Sequence, residues 1–202
     1  MTSKLIAQGA EAKIILSKDI VTKDRISKSY RIPELDKKIR KSRTKAETKL
    51  LHKASQIINS PIPETSKEIH KIKMPYINGQ KLSDNLDNFP LTKQKQICKQ
   101  IGEDVAKLHD AEIIHGDLTT SNMVLKDNKI FFIDFGLGYI SHKFEDKAVD
   151  IHLFKQALEA KHFRNWEVLF KEFEKGYSKS KDSKIVFERL KAVEKRGRYK
   201  DQ

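Results

Sequence analysis

The sequence predicts an α+β fold of two lobes: an N-terminal antiparallel sheet with one long helix, then a mostly helical C-terminal lobe. Three observations point there. Short apolar and β-branched runs parted by polar breaks open the chain, as successive strands do. Beyond Pro33, no Gly or Pro interrupts a helical apolar stripe as far as Ile58. Helical patterns return from Ala148 to the end.

In order, Leu5 to Ala7, Ile14 to Leu16 and Ile20 to Val21 read as strands. Leu35, Ile39, Ala46, Leu50, Ala54, Ile57 and Ile58 form the stripe of the long helix, which Pro61 and Pro63 end. Ile69 to Tyr76 alternates apolar and charged residues as a strand, and Ile77-Asn78-Gly79 reads as the connection between lobes 1–76 and 77–202. Ile97, Ile101, Val105 and Leu108 share one face of a helix that Thr92 is expected to cap. Ile113-Ile114, a polar loop from His115 to Asn122, and a hairpin of Met123 to Leu125 and Ile130 to Ile133 about Asp127-Asn128 follow. Helices are expected through Ala157 to Ala160, around Trp166 to Tyr177 and over Lys184 to Lys195, with Trp166, Val168, Leu169 and Phe170 in the core.

The chain has 202 residues, enough for one domain or two small lobes sharing a core. A single cysteine, Cys98, excludes an intramolecular disulfide and a multi-cysteine metal site; it reads as a half-buried helix residue. With no apolar run near the roughly 20 residues that span a bilayer, and Lys4, Gln8, Glu11 and Lys13 breaking the N-terminus, no membrane association is expected and the expected location is the cytoplasm. Lys and Arg number 41 against 28 Asp and Glu, a net +13, which raises the prior for a polyanionic partner.

Two pieces carry chemistry: His115-Gly116-Asp117-Leu118-Thr119-Thr120-Ser121-Asn122 and Ile133-Asp134-Phe135-Gly136. With a hairpin between them they match the protein-kinase catalytic loop, H-x-D-L-x-x-x-N, and the D-F-G motif. Phosphoryl transfer from ATP needs a carboxylate near the attacking oxygen, oxygen ligands for Mg²⁺ and a cation on the phosphates. Asp117 is the candidate catalytic carboxylate, Asn122 and Asp134 the candidate Mg²⁺ ligands. The plain alternatives are an Asx-type turn at Asp117 and Asn122 and a turn after a strand at Asp134. His115 is assigned to the loop framework.

Lys23 closes a strand as the phosphate-holding lysine of kinases does, with Lys28 as its rival, and Glu47 sits in the long helix where its partner glutamate belongs. The phosphate loop, Ile6 to Ile14, keeps only Gly9 at the three glycine positions, with Ala7 and Ala12 at the others. Ile6, Gly9, Ala10, Glu11, Ala12 and Ile14 are its candidate ATP contacts, and an ordinary hairpin turn is the alternative. Glu11 must face solvent, contact Lys23 or Mg²⁺, or move. Met74-Pro75-Tyr76-Ile77 is the expected adenine hinge, through the Pro75 carbonyl and the Ile77 N–H. No A-P-E follows Gly136, so little room remains for a peptide platform. The fold class is a small two-lobed protein-kinase-like fold.

At this point the sequence resembles the small RIO-like kinase/ATPase subunit of the KEOPS (EKC) complex, the PRPK family. The resemblance runs nearly end to end. It is carried by Ile6 to Ala12, Tyr30 to Asp36, Arg43-Thr44, His115 to Asn122, Asp134 to Gly138, Glu145-Asp146-Lys147-Ala148-Val149-Asp150 and Arg196-Gly197-Arg198-Tyr199. It implies an ATP-hydrolysing, autophosphorylating Mg²⁺-dependent subunit that supports formation of N6-threonylcarbamoyladenosine in tRNAs decoding ANN codons. It implies docking on the metal-dependent threonylcarbamoyltransferase subunit and on a small KEOPS subunit, with tRNA reached through the complex. Pro75 departs from the acidic residue common at that place in the family.

The stretch from Lys37 to Lys45 holds six cations in nine positions and no acid, and Lys195 to Lys200 holds four in six. Arg31, Lys37, Lys38, Arg40, Arg43, Arg196 and Arg198 are the candidate tRNA or partner contacts; a solvated face and a fraying tail are the alternatives. Two other functions stay open, a Ser/Thr protein kinase with an external substrate and an ATP-binding scaffold without turnover. A small-molecule phosphotransferase shares the H-G-D run, but the D-F-G motif and the absence of substrate-binding insertions count against it.

Overall fold

The computed structural model describes residues 3–65 and 68–198, the last two as helix backbone only. The first sheet has the order β1-β2-β3-β4, all antiparallel, from β1 (Lys4–Gln8), β2 (Ala12–Ser17), β3 (Ile20–Arg25) and β4 (Lys71–Pro75). Alternation along β3 buries Val21, Lys23 and Arg25 and turns Ile20, Thr22 and Asp24 away. Two cations thus share the sheet's inner face. Across that face runs α1 (Pro33–Ser55), whose buried side carries Thr44, Glu47, Leu50, Leu51 and Ala54. Pro33 suits the first helical position, where its missing N–H costs nothing.

The second part opens with β5 (Gln80–Lys81) and the short α2 (Leu82–Asn85), followed by α3 (Leu91–Asp110) and β6 (Ile113–Ile114). A three-stranded sheet, β5-β7-β8, is completed by β7 (Met123–Lys126) and β8 (Lys129–Phe132). Asp127 and Asn128 both have positive φ, 50° and 57°, the left-handed pair of a tight two-residue hairpin turn. Next, β9 (Tyr139–Ile140) pairs with β6, and α4 (Phe144–Lys161), α5 (Trp166–Tyr177) and α6 (Ser183–Arg198) close the chain.

α3 and α5 cross in close contact. A Cβ at Gly102 would lie 2.1 Å from the Phe173 carbonyl oxygen, and one at Gly176 would lie 2.0 Å from that of Lys99. Beside this crossing, Phe173 packs against Phe154, Phe170 and Tyr177, with ring centroids 4.7, 5.7 and 6.1 Å away. Among the described residues no helix is long and apolar enough to cross a membrane.

Four expectations are corrected. Thr92 does not cap α3: Pro90, with ψ of 144°, is the N-cap, no side chain bonds there, and Thr92 falls inside the first turn. Cys98 is wholly buried, and its thiol is pushed up by burial. Val168 faces out while Leu169 and Phe170 are buried, because the apolar stripe of α5 runs through the latter. The first C-terminal helix starts at Phe144, where Glu145 and Asp146 favour a helix N-terminus.

Candidate active site

Lys23 Nζ lies 2.7 Å from Glu47 Oε1 and 2.8 Å from Asp134 Oδ1. On the other oxygen of Glu47, Arg25 Nη2 sits at 2.5 Å. Glu47 and Arg25 are buried, at 2% and 5% exposure, so one carboxylate is held between two cations from the same strand. Burial opposes the charge on Lys23, but the carboxylates of Glu47 and Asp134 outweigh it and hold the ammonium above its ordinary value. Burial likewise raises the Glu47 carboxyl, against the pull of Lys23 and Arg25. For Asp134 burial is overcome by Lys23 and by the Gly136 N–H, which donates at 2.8 Å, and the carboxyl sits below its usual range. Both bonds fall on Asp134 Oδ1, so Oδ2 has no hydrogen bond among the described residues. The rival Lys28 lies on the surface, donating to the Ala10 carbonyl.

The loop from His115 to Asn122 is hung from α4. Asp150, 1% exposed, accepts from the His115 N–H at 2.8 Å and the Gly116 N–H at 2.9 Å. His109 Nε2 stands 3.2 Å from the same carboxylate; with its proton there, Nδ1 accepts from the Tyr177 hydroxyl at 2.9 Å. Burial works against ionised Asp150, and the His109 ring and these N–H groups hold its carboxyl low. Gly116 has φ of +79°, and a Cβ there would meet the Leu137 carbonyl oxygen at 2.3 Å, so the bend requires glycine. Further on, His162 spans Thr120 Oγ1 and Asp87 Oδ1, 3.0 Å from each. Buried His115 packs on Phe135 with centroids 4.7 Å apart, and burial lowers its pKa.

On this frame Asp117 is exposed, and Asn122 donates its amide to the Asp117 backbone oxygen at 2.9 Å and to Oδ2 at 2.8 Å. The amide oxygen of Asn122 remains for a cation. Asn122 and Asp134 line a cavity of about 460 Å³ with Lys23, Ile6, Ile14 and Met74; Ala7, Val21, Pro61, Pro75, Tyr76, Ile77, Val124 and Ile133 add apolar walls, and Lys81 and Ser121 also line it. An apolar slot with an ammonium, a carboxylate and an amide at one end fits a flat base at one side and a Mg²⁺-bound polyphosphate at the other. Gly9, Ala10, Glu11 and Ala12 are not among the lining residues: they form a turn closed by the Gly9 N–H on the Ala12 carbonyl at 3.0 Å. Glu11 reaches neither Lys23 nor the cavity but pairs with Arg43 at 2.6 Å. Glu47 stands behind Lys23, and Asp117 joins the wall through Asn122.

Most of the candidate contact arginines are paired within the chain. Arg40 Nε lies 2.6 Å and Arg31 Nη1 3.6 Å from the carboxylate of buried Asp36. Arg43 holds Glu11, and Arg196 holds Glu145. Lys37 and Lys38 are exposed. The Arg198 side chain, with Tyr199 and Lys200, lies outside the described residues.

Sequence reasoning missed Arg25, Asp150, His109 and His162. Arg25 was within reach, because two positions along a strand from Lys23 is the same face.

The chain matches the RIO domain over residues 16–170. It is 40% identical to KEOPS complex subunit Bud32 of Pyrococcus abyssi, over 98% of this chain and 97% of that protein. It is 39% identical to the probable serine/threonine-protein kinase BUD32 homolog of Archaeoglobus fulgidus, over 95% and 94%. A probable bifunctional tRNA threonylcarbamoyladenosine biosynthesis protein of Methanobrevibacter smithii is 42% identical over 98% of this chain, which spans only 37% of that longer protein. The chain belongs to the RIO-domain family, in the group of the KEOPS complex subunit Bud32.

Proposed function

We propose that this protein is an ATP-hydrolysing, autophosphorylating kinase-like subunit of a KEOPS-type complex, working in the cytoplasm in support of N6-threonylcarbamoyladenosine formation on tRNA. The observation that carries the chemistry is Lys23 held between Glu47 and Asp134 at the polar end of the cavity, with Asn122 and Asp117 bonded to each other beside it. Relatives named for a KEOPS subunit and for tRNA threonylcarbamoyladenosine biosynthesis support the biology. The threonylcarbamoyltransferase and a small subunit of the complex are the proposed partners.

Mg²⁺-ATP, when bound, supplies the phosphoryl group and the negative charge on which these residues act. Lys23 neutralises phosphate oxygens while Arg25 keeps Glu47 paired. Asp134 and Asn122 would hold the cation, and Asp117 would take the proton of a water or of a Ser or Thr hydroxyl. Pro75 and Ile77 offer a carbonyl and an N–H to the base. The lobes divide at 76/77: Pro75 still pairs with Ile20, and Gln80 already pairs with Leu125 of the other sheet. After Gly136 the chain enters β9 and then α4 at Phe144, which favours water or its own hydroxyls over an external protein as acceptor.

The test is to incubate the pure protein with Mg²⁺ and γ-labelled ATP, with and without the transferase and tRNA. Label released as phosphate, lost in Asp134→Ala and reduced about 10²- to 10⁴-fold in Asp117→Asn, is expected. Repeated transfer of label to another protein would make the chain a conventional protein kinase, and ATP binding without release would make it a scaffold.

A further inference from the structure

We infer that Arg43 is a positioning residue for nucleotide binding: it holds the Glu11 carboxylate off the path of the polyphosphate, so that a loop carrying an acid can still serve the phosphates. The inference rests on the ATP reading above. Along the sheet, Ile14 stands opposite Lys23 and Ala12 opposite Arg25. One step farther, the Ile26 N–H donates to the Glu11 carbonyl at 3.0 Å. Glu11 is therefore three ladder positions from Lys23, about 10 Å at the rise of a strand. Ala7, Ile14 and Val21 line the cavity as far as Lys23, and the turn from Gly9 to Glu11 projects beyond its polar end.

The backbone bond to Ile26 fixes where Glu11 sits, so only its side chain can turn toward the cavity or away from it. Arg43 Nη1, 2.6 Å from Glu11 Oε2, turns it toward α1. The two side chains are 43% and 48% exposed, so the pair adds little to folding; what it decides is where the acid points. Lys28, donating to the Ala10 carbonyl, ties the turn to the same side. Arg43 also stands one helical turn before Glu47, which Lys23 and Arg25 hold. The helix that fixes the phosphate-facing lysine thus fixes the loop acid as well.

Charge supplies the consequence. Paired, Glu11 and Arg43 are together neutral toward anything bound in the slot. With the guanidinium removed, Glu11 becomes an uncompensated anion at the end that receives negative charge, and its repulsion grows with the number of phosphate charges. A nucleoside without phosphate is indifferent to it. This dependence on phosphate number separates a positioning role from a merely structural one, which would weaken every ligand alike.

The experiment titrates the full chain with adenosine, ADP and ATP in Mg²⁺ by calorimetry, for wild type, Arg43→Gln, Arg43→Lys, Glu11→Gln and the double variant Glu11→Gln/Arg43→Gln. Arg43→Gln should weaken ATP roughly two- to fivefold at low salt, ADP less and adenosine not at all, and added KCl should screen the loss away. Arg43→Lys, which keeps the charge, should recover most of it. The double variant should bind ATP as Glu11→Gln does, because without the acid the arginine has nothing to hold. Phosphate release by Arg43→Gln should fall through KM rather than kcat, and all the variants should melt with the wild type. Unchanged ATP affinity in Arg43→Gln, equal losses for ATP and adenosine, or a double variant as weak as Arg43→Gln overturns the inference and leaves the ATP reading standing. A wild type that binds none of the three ligands overturns both.

Discussion

Replacing Arg25 by Met keeps most of the unbranched stem and removes the guanidinium and its charge, and the cost follows from its contacts. The charge-assisted bond to Glu47, made by a guanidinium 4% exposed, is lost at about 1.5 to 3 kcal/mol. Glu47 keeps Lys23, so the loss stays below the roughly 3 to 5 kcal/mol of a buried charge left without any partner. Arg25 Nε, buried with no hydrogen-bond partner, disappears too and offsets part of it. The net is about 2 kcal/mol, or roughly 4 to 8 °C of melting temperature for a chain of this size. Glu47→Gln, which leaves Lys23 and Arg25 without their shared carboxylate, should cost more. pH supplies a second arm. Glu47 already has a folded-state pKa raised above the ordinary 4.5, and loss of Arg25 raises it further. The folded variant therefore binds more proton than the folded wild type between those two values, and its deficit grows as pH rises through them. Below the folded wild-type value of Glu47 the ionic part should fade. Urea or thermal melts at several pH values decide it. Equal stability at about pH 8, or a deficit that does not change down to the ordinary glutamate value, would refute the reasoning.

Other outcomes follow from the same geometry. Gly176→Ala should destabilise by about 3 kcal/mol or force α3 and α5 apart, because its Cβ would fall 2.0 Å from a backbone oxygen; a urea melt within error of wild type would count against that crossing. Asp150→Asn offers one acceptor oxygen where two backbone N–H groups now bond, and should lose roughly 1.5 to 3 kcal/mol together with ATP turnover, read by melting and phosphate release. His162→Ala should lower turnover more than nucleotide affinity, since it supports Thr120 in the loop and touches no cavity wall; titration of a fluorescent ATP analogue beside phosphate release separates the two.

The strands, the long helix and the two motif loops were legible because their signals are local: alternation along β3, period along α1, and runs of polar residues at fixed spacing between short strands. Lys23 was identifiable by position, yet Arg25 was passed over although the same alternation places it inward. Asp150 was read only as the end of the Glu145-to-Asp150 run, and its role was hidden because it lies 35 positions from His115 and reaches it only through the packing of α4. The basic stretch was read as one cluster, whereas folding divides it. Arg31, Arg40 and Arg43 turn to Asp36 and Glu11, and the lysines remain outside. Composition counts charges, but only the fold says which are already spent.

The stretch from Leu137 to Lys143 is tethered along its length. Its β9 strand lies on β6, Ser141 donates its N–H to the Glu112 carbonyl at 2.9 Å, and α4 starts at once. A tether so short has no slack to swing across the cavity. Switching by the ordering and disordering of a long loop, which governs many phosphoryl-transfer enzymes, has no moving part here. Such a site is set by its surroundings: what docks on the chain, and how much nucleotide is at hand, would do the work that a phosphorylated loop does elsewhere.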